Sequence, residues 1–412
     1  MTSEPSHQAH ETPRAISFGE LIGLLALLVA LTALSIDIML PALPDIGREF
    51  GIAHDNDREM VVTAYLLGLA AGQFVWGHLS DLLGRRRPLL IGLALYAAGS
   101  VAALLAPSFI WLIVARIGQG FGGAAARTIG TAVVRDTFSG RDMARTMSFV
   151  MMVFIVVPMV APSAGQGLLH LGTWRWCFAA LLTTGVIAFL WVAVRLPETW
   201  DKFRREGGAP RLGLRQSFFA VVSNRITRSY GLAAGLTFGC LVAYISSAQQ
   251  IFTDTYGLGG LFPIAFGAIA SSMAAAAFTN ALLVRRLGMR RLSHSALVAF
   301  IATGVTLTIL CIVGRPPLWA LMSLLGLCFY LFALMQANFN AIAMHPVGHV
   351  AGMASSLLGG FVTVAGVVCG GFIGRSFDGT PLPLALGFAV LGICAFLIVL
   401  RAEGARGLFR GE

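Results

Sequence analysis

Charge is what this sequence has least of. Only 12% of its 412 residues are Asp, Glu, Lys or Arg, against about 25% in a soluble globular domain. With 57% hydrophobic residues and a mean hydropathy of +0.80, most of the surface must face lipid, which excludes a soluble protein. Lysine is nearly missing: Lys202 stands alone among 29 basic residues. The six cysteines (Cys177, Cys240, Cys311, Cys328, Cys369 and Cys394) all fall in apolar stretches and form no CxxC pair. Disulfides and zinc sites are therefore not expected, and free Cys in such surroundings behaves as a small hydrophobe. There is no Walker loop, no GxSxG and no HExxH, so ATP is not the energy source and no enzyme, cofactor or metal constellation is expected. His345 and His349 lie four apart, with no carboxylate close in sequence. Residues 1–17 are polar, contain Pro5 and Pro13, and read as a short tail. No apolar core with a small-residue cleavage site follows as in a signal peptide.

What is present is a series of apolar runs. A helix needs roughly 20 apolar residues to cross a bilayer core. Twelve such runs can be counted: 18–41, 60–80, 88–106, 109–134, 143–169, 175–195, 229–252, 262–284, 292–313, 317–343, 349–374 and 381–400. An even number puts both termini on one side. With the N-terminus cytoplasmic, 22 Lys and Arg fall in cytoplasmic segments, five fall outside, and Arg116 and Arg127 lie within the fourth run. That asymmetry predicts both termini inside. It also explains the net charge of +10 without any nucleic-acid partner.

The chain divides near its middle. Residues 196–228 form the longest polar stretch, with Pro197, Gly207, Gly208 and Pro210, and read as a cytoplasmic linker. It joins a six-helix half over 18–195 to another over 229–400, followed by a tail at 401–412. Arg285-Arg286-Leu287-Gly288-Met289-Arg290-Arg291 follows run eight as Asp81 to Arg87 follows run two, at an offset of 204 residues. In this second copy Arg285 replaces Asp81.

The loop after run two reads Gly77-His78-Leu79-Ser80-Asp81-Leu82-Leu83-Gly84-Arg85-Arg86-Arg87-Pro88. A positive-inside stop accounts for its arginines but not for Asp81 or the two glycines. It resembles the signature loop between helices 2 and 3 of the major facilitator superfamily of secondary transporters. That resemblance implies an all-α membrane protein with twelve transmembrane helices in two pseudo-symmetric six-helix halves. The substrate site would lie between the halves near mid-membrane. It further implies that Asp81 lies near the start of helix 11. Arg85 and Asp136 would extend a charged cluster that, with Gly77 and Gly84, latches the halves on the cytoplasmic side.

Buried charge is expensive in a bilayer, at least about 2.5–3.5 kcal/mol on insertion scales, so the few intramembrane ionisable residues are the candidates for chemistry. Asp37 lies in the first run, before Met39-Leu40-Pro41-Ala42-Leu43-Pro44; Arg116 lies near the start of the fourth and Arg127 eleven residues on. No Asp, Glu or Lys lies well inside the other ten runs, and Asp254 is near the end of the seventh. Asp37 is the candidate proton carrier, because burial disfavours the charged form of a carboxylate; the alternative is a local cap near the outer interface. Arg116 is a fixed charge that tunes neighbouring acids or holds water and so supports the proton-coupling step of Asp37; the alternative is an outer-leaflet anchor.

The stretch around Asp37 is similar to the first helix of the Bcr/CflA drug:proton antiporters, with Met39 where that subfamily usually has Tyr. Arg116, Gln119, Gly120 and Gly122 are similar to its helix 4 motif. Pro158-Met159-Val160-Ala161-Pro162-Ser163-Ala164-Gly165 is similar to the helix 5 motif of drug antiporters. Physically, Pro158 and Pro162 remove backbone donors and bend the helix, and the small residues, Gly165 among them, admit a close neighbour. Candidate cavity residues are Tyr65, Gln73, Gln119, Gln249, Gln250, Asn338 and Asn340, in a pocket expected to be loose, apolar and Met-rich.

The resemblance implies a bacterial inner-membrane exporter of small, largely apolar drugs of the chloramphenicol, florfenicol and bicyclomycin type. It would be driven by the proton gradient and act as a monomer. The alternatives are a carrier of a natural metabolite, such as an amino acid or organic anion, and a non-transporting receptor or scaffold.

Overall fold

The structure is a computed structural model in which residues 16–138, 140–200, 214–404 and 409 are described. Most of the tails, and 201–213 of the linker, lie outside them. Twelve long helices follow the apolar runs: α1 Phe18–Asp37, α2 Met60–Leu83, α3 Arg86–Leu104, α4 Phe109–Thr137, α5 Gly140–Leu169, α6 Arg175–Arg195, α7 Arg225–Gln249, α8 Phe262–Leu287, α9 Met289–Val313, α10 Leu318–Met344, α11 Ala351–Arg375 and α12 Leu382–Glu403. Among the described residues eleven are long and apolar enough to cross a membrane, and α5 carries a shorter apolar stretch, Val156–Leu169.

Local chemistry sets the ends. Ser17, Ser108 and Asn224 cap α1, α4 and α7 by accepting from Glu20, Trp111 and Thr227 N–H groups, which satisfies donors that a helix start leaves orphaned. α2 and α8 end on Gly84 and Gly288, with φ of 87° and 77°, a region glycine enters without a Cβ penalty.

Two details were not visible in the sequence. Within 196–228, Leu214–Ser223 is helical, and the Asn224 cap starts α7 at Arg225, four residues before the apolar run. The first run is not one α-helix. α1 stops at Asp37, and the chain continues as a 3₁₀ turn over Leu40–Ala42 and a short helix over Leu43–Glu49. Pro41 has no N–H for the Asp37 carbonyl, nor Pro44 for that of Leu40, so the ladder breaks there.

Each half packs the same way. α1 contacts α4, α5 and α6; α2 contacts α4; α3 contacts α4 and α6. The equivalent pairs recur in the second half: α7 with α10, α11 and α12; α8 with α10; α9 with α10 and α12. Across the molecule α2 packs on α11 and α5 on α8. Small residues make these crossings close, as lipid-embedded helices require. A Cβ on Gly72 would lie 2.6 Å from the Phe121 carbonyl oxygen, one on Gly370 2.6 Å from that of Gly239, and one on Gly267 2.9 Å from that of Met159.

The two ends of the molecule differ. At the end holding the α1–α2 and α11–α12 connections, polar groups tie the halves together. Asn56 donates to the carbonyls of Arg375 and Phe377 (both 2.9 Å), Gln250 donates to Asn56 (2.8 Å), and Arg375 pairs with Asp57 (2.8 Å). Arg58 bridges to Asp254 (2.7 Å) and Gln249 (3.0 Å). At the opposite, arginine-rich end a cavity of about 270 Å³ separates α2, α4 and α5 from α10 and α11.

Candidate functional site

Asp37 is buried at the break in α1. Its carboxylate makes no hydrogen bond or ion pair among the described residues. The turn that follows it packs against α5 and α7. A Cβ on Gly165 would strike the Ile38 carbonyl and approach Pro41 to 3.2 Å, so glycine lets α5 seat on the break. Tyr244 of α7 is within electrostatic reach of Asp37, and its hydroxyl also has no partner among the described residues. An unpartnered acid therefore sits where three helices from both halves meet.

Arg116 is fully buried and serves a different purpose. Its guanidinium donates to the carbonyls of Val61 (3.0 Å) and Ser35 (2.9 Å) and to Gln119 Oε1 (2.7 Å), and lies 4.6 Å over the Tyr65 ring. Gln119 in turn donates to Ser100 (2.8 Å), and Ser35 shares a 2.7 Å hydrogen bond with Tyr96. This network ties α1, α2 and α3 to α4. It makes no ion pair with Asp37; it holds the Ser35 carbonyl two residues before it.

The loop cluster assembles around Arg85. Arg85 pairs with Asp81 (2.5 Å) and Asp136 (2.6 Å) and donates to Ser80 Oγ (2.9 Å). Two further members were not read from sequence. Glu198 accepts from the backbone N–H groups of Arg85 (2.8 Å) and Arg86 (3.1 Å), capping the start of α3, and Trp200 lies 4.3 Å from the Arg85 guanidinium. Gly84 leaves room for Glu198, whose carboxylate oxygen would lie 2.5 Å from a Cβ there. Gly77 faces Ser356 of α11. These ion pairs lie within the N-terminal half.

Glu59 was also missed. It precedes α2, is buried, and both its carboxylate oxygens lack a partner among the described residues. It lies just outside the apolar window that marked run two. Arg58, counted as an outer-loop charge, is likewise buried.

The cavity is more polar than expected. Its walls carry Gln73, Ser80, Asp81, Arg85, Arg127, Thr128, Thr131, Arg135, Asn340, Ser355 and Ser356, with Met147 and Met344 but no aromatic ring. Of the expected lining, Gln73 and Asn340 are there. Tyr65 and Gln119 belong to the Arg116 network instead. Gln249 and Gln250 belong to the closed end, and Asn338 is buried and bonded to Asn280 (2.7 Å). Pro158 and Pro162 fall inside α5, which stays helical through both and packs on α1 and α8. His345 is exposed at the end of α10, and the His349 side chain lies outside the described residues.

A sequence model of the Major Facilitator Superfamily matches residues 25–370. The chain belongs to the major facilitator superfamily. It is thus a membrane transporter and not an enzyme. The "Uncharacterized MFS-type transporter YdgK" of Bacillus subtilis is 32% identical, covering 90% of this chain and 93% of that one. The "Bicyclomycin resistance protein homolog" of Haemophilus influenzae is 26% identical, covering 91% and 93%. A structure of the xylose transporter XylE from E. coli, described as a partially occluded inward open conformation, aligns with a TM-score of 0.68 at 12% identity, covering 92% and 96%. At that identity the likeness speaks for the superfamily fold alone.

Proposed function

We propose that this transporter exports small drug-like molecules across the bacterial inner membrane in exchange for protons, and that Asp37 carries the proton. The observation that carries the reading is the unpartnered Asp37 carboxylate at the broken end of α1, between the two halves. An acid with no fixed cation beside it can take up and release a proton without breaking a salt bridge. The basic end is the cytoplasmic one by the positive-inside rule, so both termini are cytoplasmic and the cavity opens inward. Alternating access then consists of closing this cavity and parting the Asn56, Arg58, Asp254 and Arg375 contacts on the outer face. The cluster of Gly77, Asp81, Gly84, Arg85 and Asp136 serves as the cytoplasmic latch, and α5, with Pro158 and Pro162 inside it, as part of the sliding seam. The bicyclomycin-resistance relative supports a drug-like cargo. The chain works as a monomer.

The test is efflux from proteoliposomes under an imposed proton gradient, with bicyclomycin and chloramphenicol as probes. Asp37→Asn is expected to abolish gradient-driven efflux while leaving the protein folded. Wild-type accumulation against a gradient by this variant would sink the proton assignment.

A further inference from the structure

We propose that Arg127 is an anion-binding residue of the cavity and that the transported molecules include, beside uncharged drugs, ones that carry a carboxylate or a similarly compact anionic group. The inference rests on the reading of this cavity as the substrate path. It starts from the state of each cation in the wall. Arg85 is committed to Asp81 and Asp136. Arg135 is in electrostatic reach of the same two acids, so these four side chains sum to zero formal charge. Arg127 is different. Among the described residues its guanidinium makes no hydrogen bond and no ion pair, and the titratable neighbour in reach is the Tyr65 phenol.

Position strengthens the contrast. Arg127 lies ten residues from the end of α4, about 15 Å deep at 1.5 Å per residue. Arg116 is more deeply buried and has every guanidinium nitrogen bonded. A cation at such depth is retained when it faces a bundle interior or watered cavity and meets a partner there. Arg127 lines the cavity and is only half-buried. The partner it lacks in the protein is what a ligand can bring.

The surroundings suit one compact anion. A guanidinium presents a planar fork that matches a carboxylate with two parallel hydrogen bonds. Thr128 and Thr131 flank Arg127 on α4, with Gln73 of α2, Asn340 of α10 and Ser356 of α11 on the other walls. These hydroxyl and amide groups can bond the rest of a polar ligand. At about 270 Å³ the cavity suits a small molecule.

Binding can be measured on the full chain in lipid nanodiscs at constant ionic strength. The probes are naphthoate and naphthamide, which match in shape and differ in charge. Wild type is expected to bind naphthoate about tenfold tighter or more, the scale of a charge-assisted hydrogen bond. Arg127→Gln should remove the preference, and exposed Arg291→Gln should keep it, separating a site from general positive charge. Equal affinities in wild type, no naphthoate binding, or a preference that survives Arg127→Gln would each overturn the proposal. Should Arg127→Gln not fold, Arg127→Lys asks the same question. It keeps the charge but loses the fork, so naphthoate should weaken while naphthamide does not; unchanged naphthoate binding overturns the site. No proton gradient is involved, so an intact naphthoate preference beside a failed Asp37 assay would leave this site standing, and the reverse would leave the proton reading standing.

Discussion

The two halves share a backbone and divide the chemistry unequally. The same six helix pairs recur in each. Gly84 and Gly288 end α2 and α8 in the same left-handed region. Even the acid after the sixth helix of each half has a parallel task. Glu198 caps the start of α3, and Glu403 at the end of α12 holds Arg290 in the first turn of α9. Yet of the Asp, Glu, Lys, Arg and His residues, Asp37, Arg58, Glu59, Arg85 and Arg116 are buried in the first half, whereas in the second half only His294 is, among the described residues. Where the first half has Asp81 the second has Arg285, and where it has Arg58 and Glu59 the second has Phe262 and Pro263. Steric requirements of the fold are met twice because every half must pack. Charges that cost free energy to bury are kept where they act.

The largest test of this asymmetry lies in the two loop clusters. Arg85 and Asp136 have side chains 1% and 0% exposed, and those of Arg290 and Glu403 are 29% and 11% exposed. Removing one member of a buried pair costs about 3–5 kcal/mol, because the other is left uncompensated. A partly exposed pair is worth about 1 kcal/mol or less. Arg85→Ala should therefore lower the apparent melting temperature in detergent far more than Arg290→Ala. It should also lengthen cytoplasmic distances between spin labels on the two halves, as expected if the cluster latches them. Equal melting shifts would mean that the halves carry equivalent pairs.

A smaller effect separates the helix crossings. At the shared offset, Gly122 of α4 corresponds to Gly326 of α10. A Cβ on Gly122 would lie 2.6 Å from the Gly92 carbonyl oxygen and 2.9 Å from Tyr96 Cα, both backbone atoms that cannot yield easily, whereas one on Gly326 meets nothing within 4 Å. Gly122→Ala should cost about 1–3 kcal/mol through overpacking. Gly326→Ala should be neutral or stabilise by up to about 1 kcal/mol through helix propensity. Thermal unfolding of both variants in one detergent checks this, and a reversed order would contradict the packing described.

These contrasts also mark how far the sequence could be read. The twelve spans were legible because long apolar runs leave no other assignment, and the Gly84 and Gly288 repeat was visible as spacing. Asp37 and the Arg85 cluster stood out because charge is rare in such a chain. What could not be read was orientation. Gln119, Gln249 and Asn338 are polar groups on membrane helices, and only packing shows that their bonds go to the protein and not to the cavity, just as it sets the Tyr65 ring against Arg116. Arg127, Thr131 and Arg135 recur every four residues, a helical stripe visible in sequence, but their common exposure to one cavity was not. Glu198 reaches the start of α3 across 112 residues, a pairing no local pattern announces. Glu59 was hidden by the edge of an apolar window.

The subtlest difference between the halves is the helix break, and it yields the smallest expected effect. α1 stops at Asp37 because Pro41 cannot donate to the Asp37 carbonyl, whereas the equivalent residue of α7 is Ile245 and that helix runs on to Gln249. Pro41→Ala supplies the missing N–H, so one more hydrogen bond can form and the first helix becomes more like the seventh. The unfolded chain also gains freedom, which works against stability, so the net change should stay within about 1 kcal/mol. Backbone hydrogen exchange should then find the new amide at position 41 protected like its neighbours. Gradient-driven efflux should fall, because a continuous helix holds Asp37 in one orientation. A fast-exchanging amide would show that packing by α5 and Gly165, and not the missing donor, keeps the helix broken. Unchanged efflux with a protected amide would show that the break serves packing and not the acid.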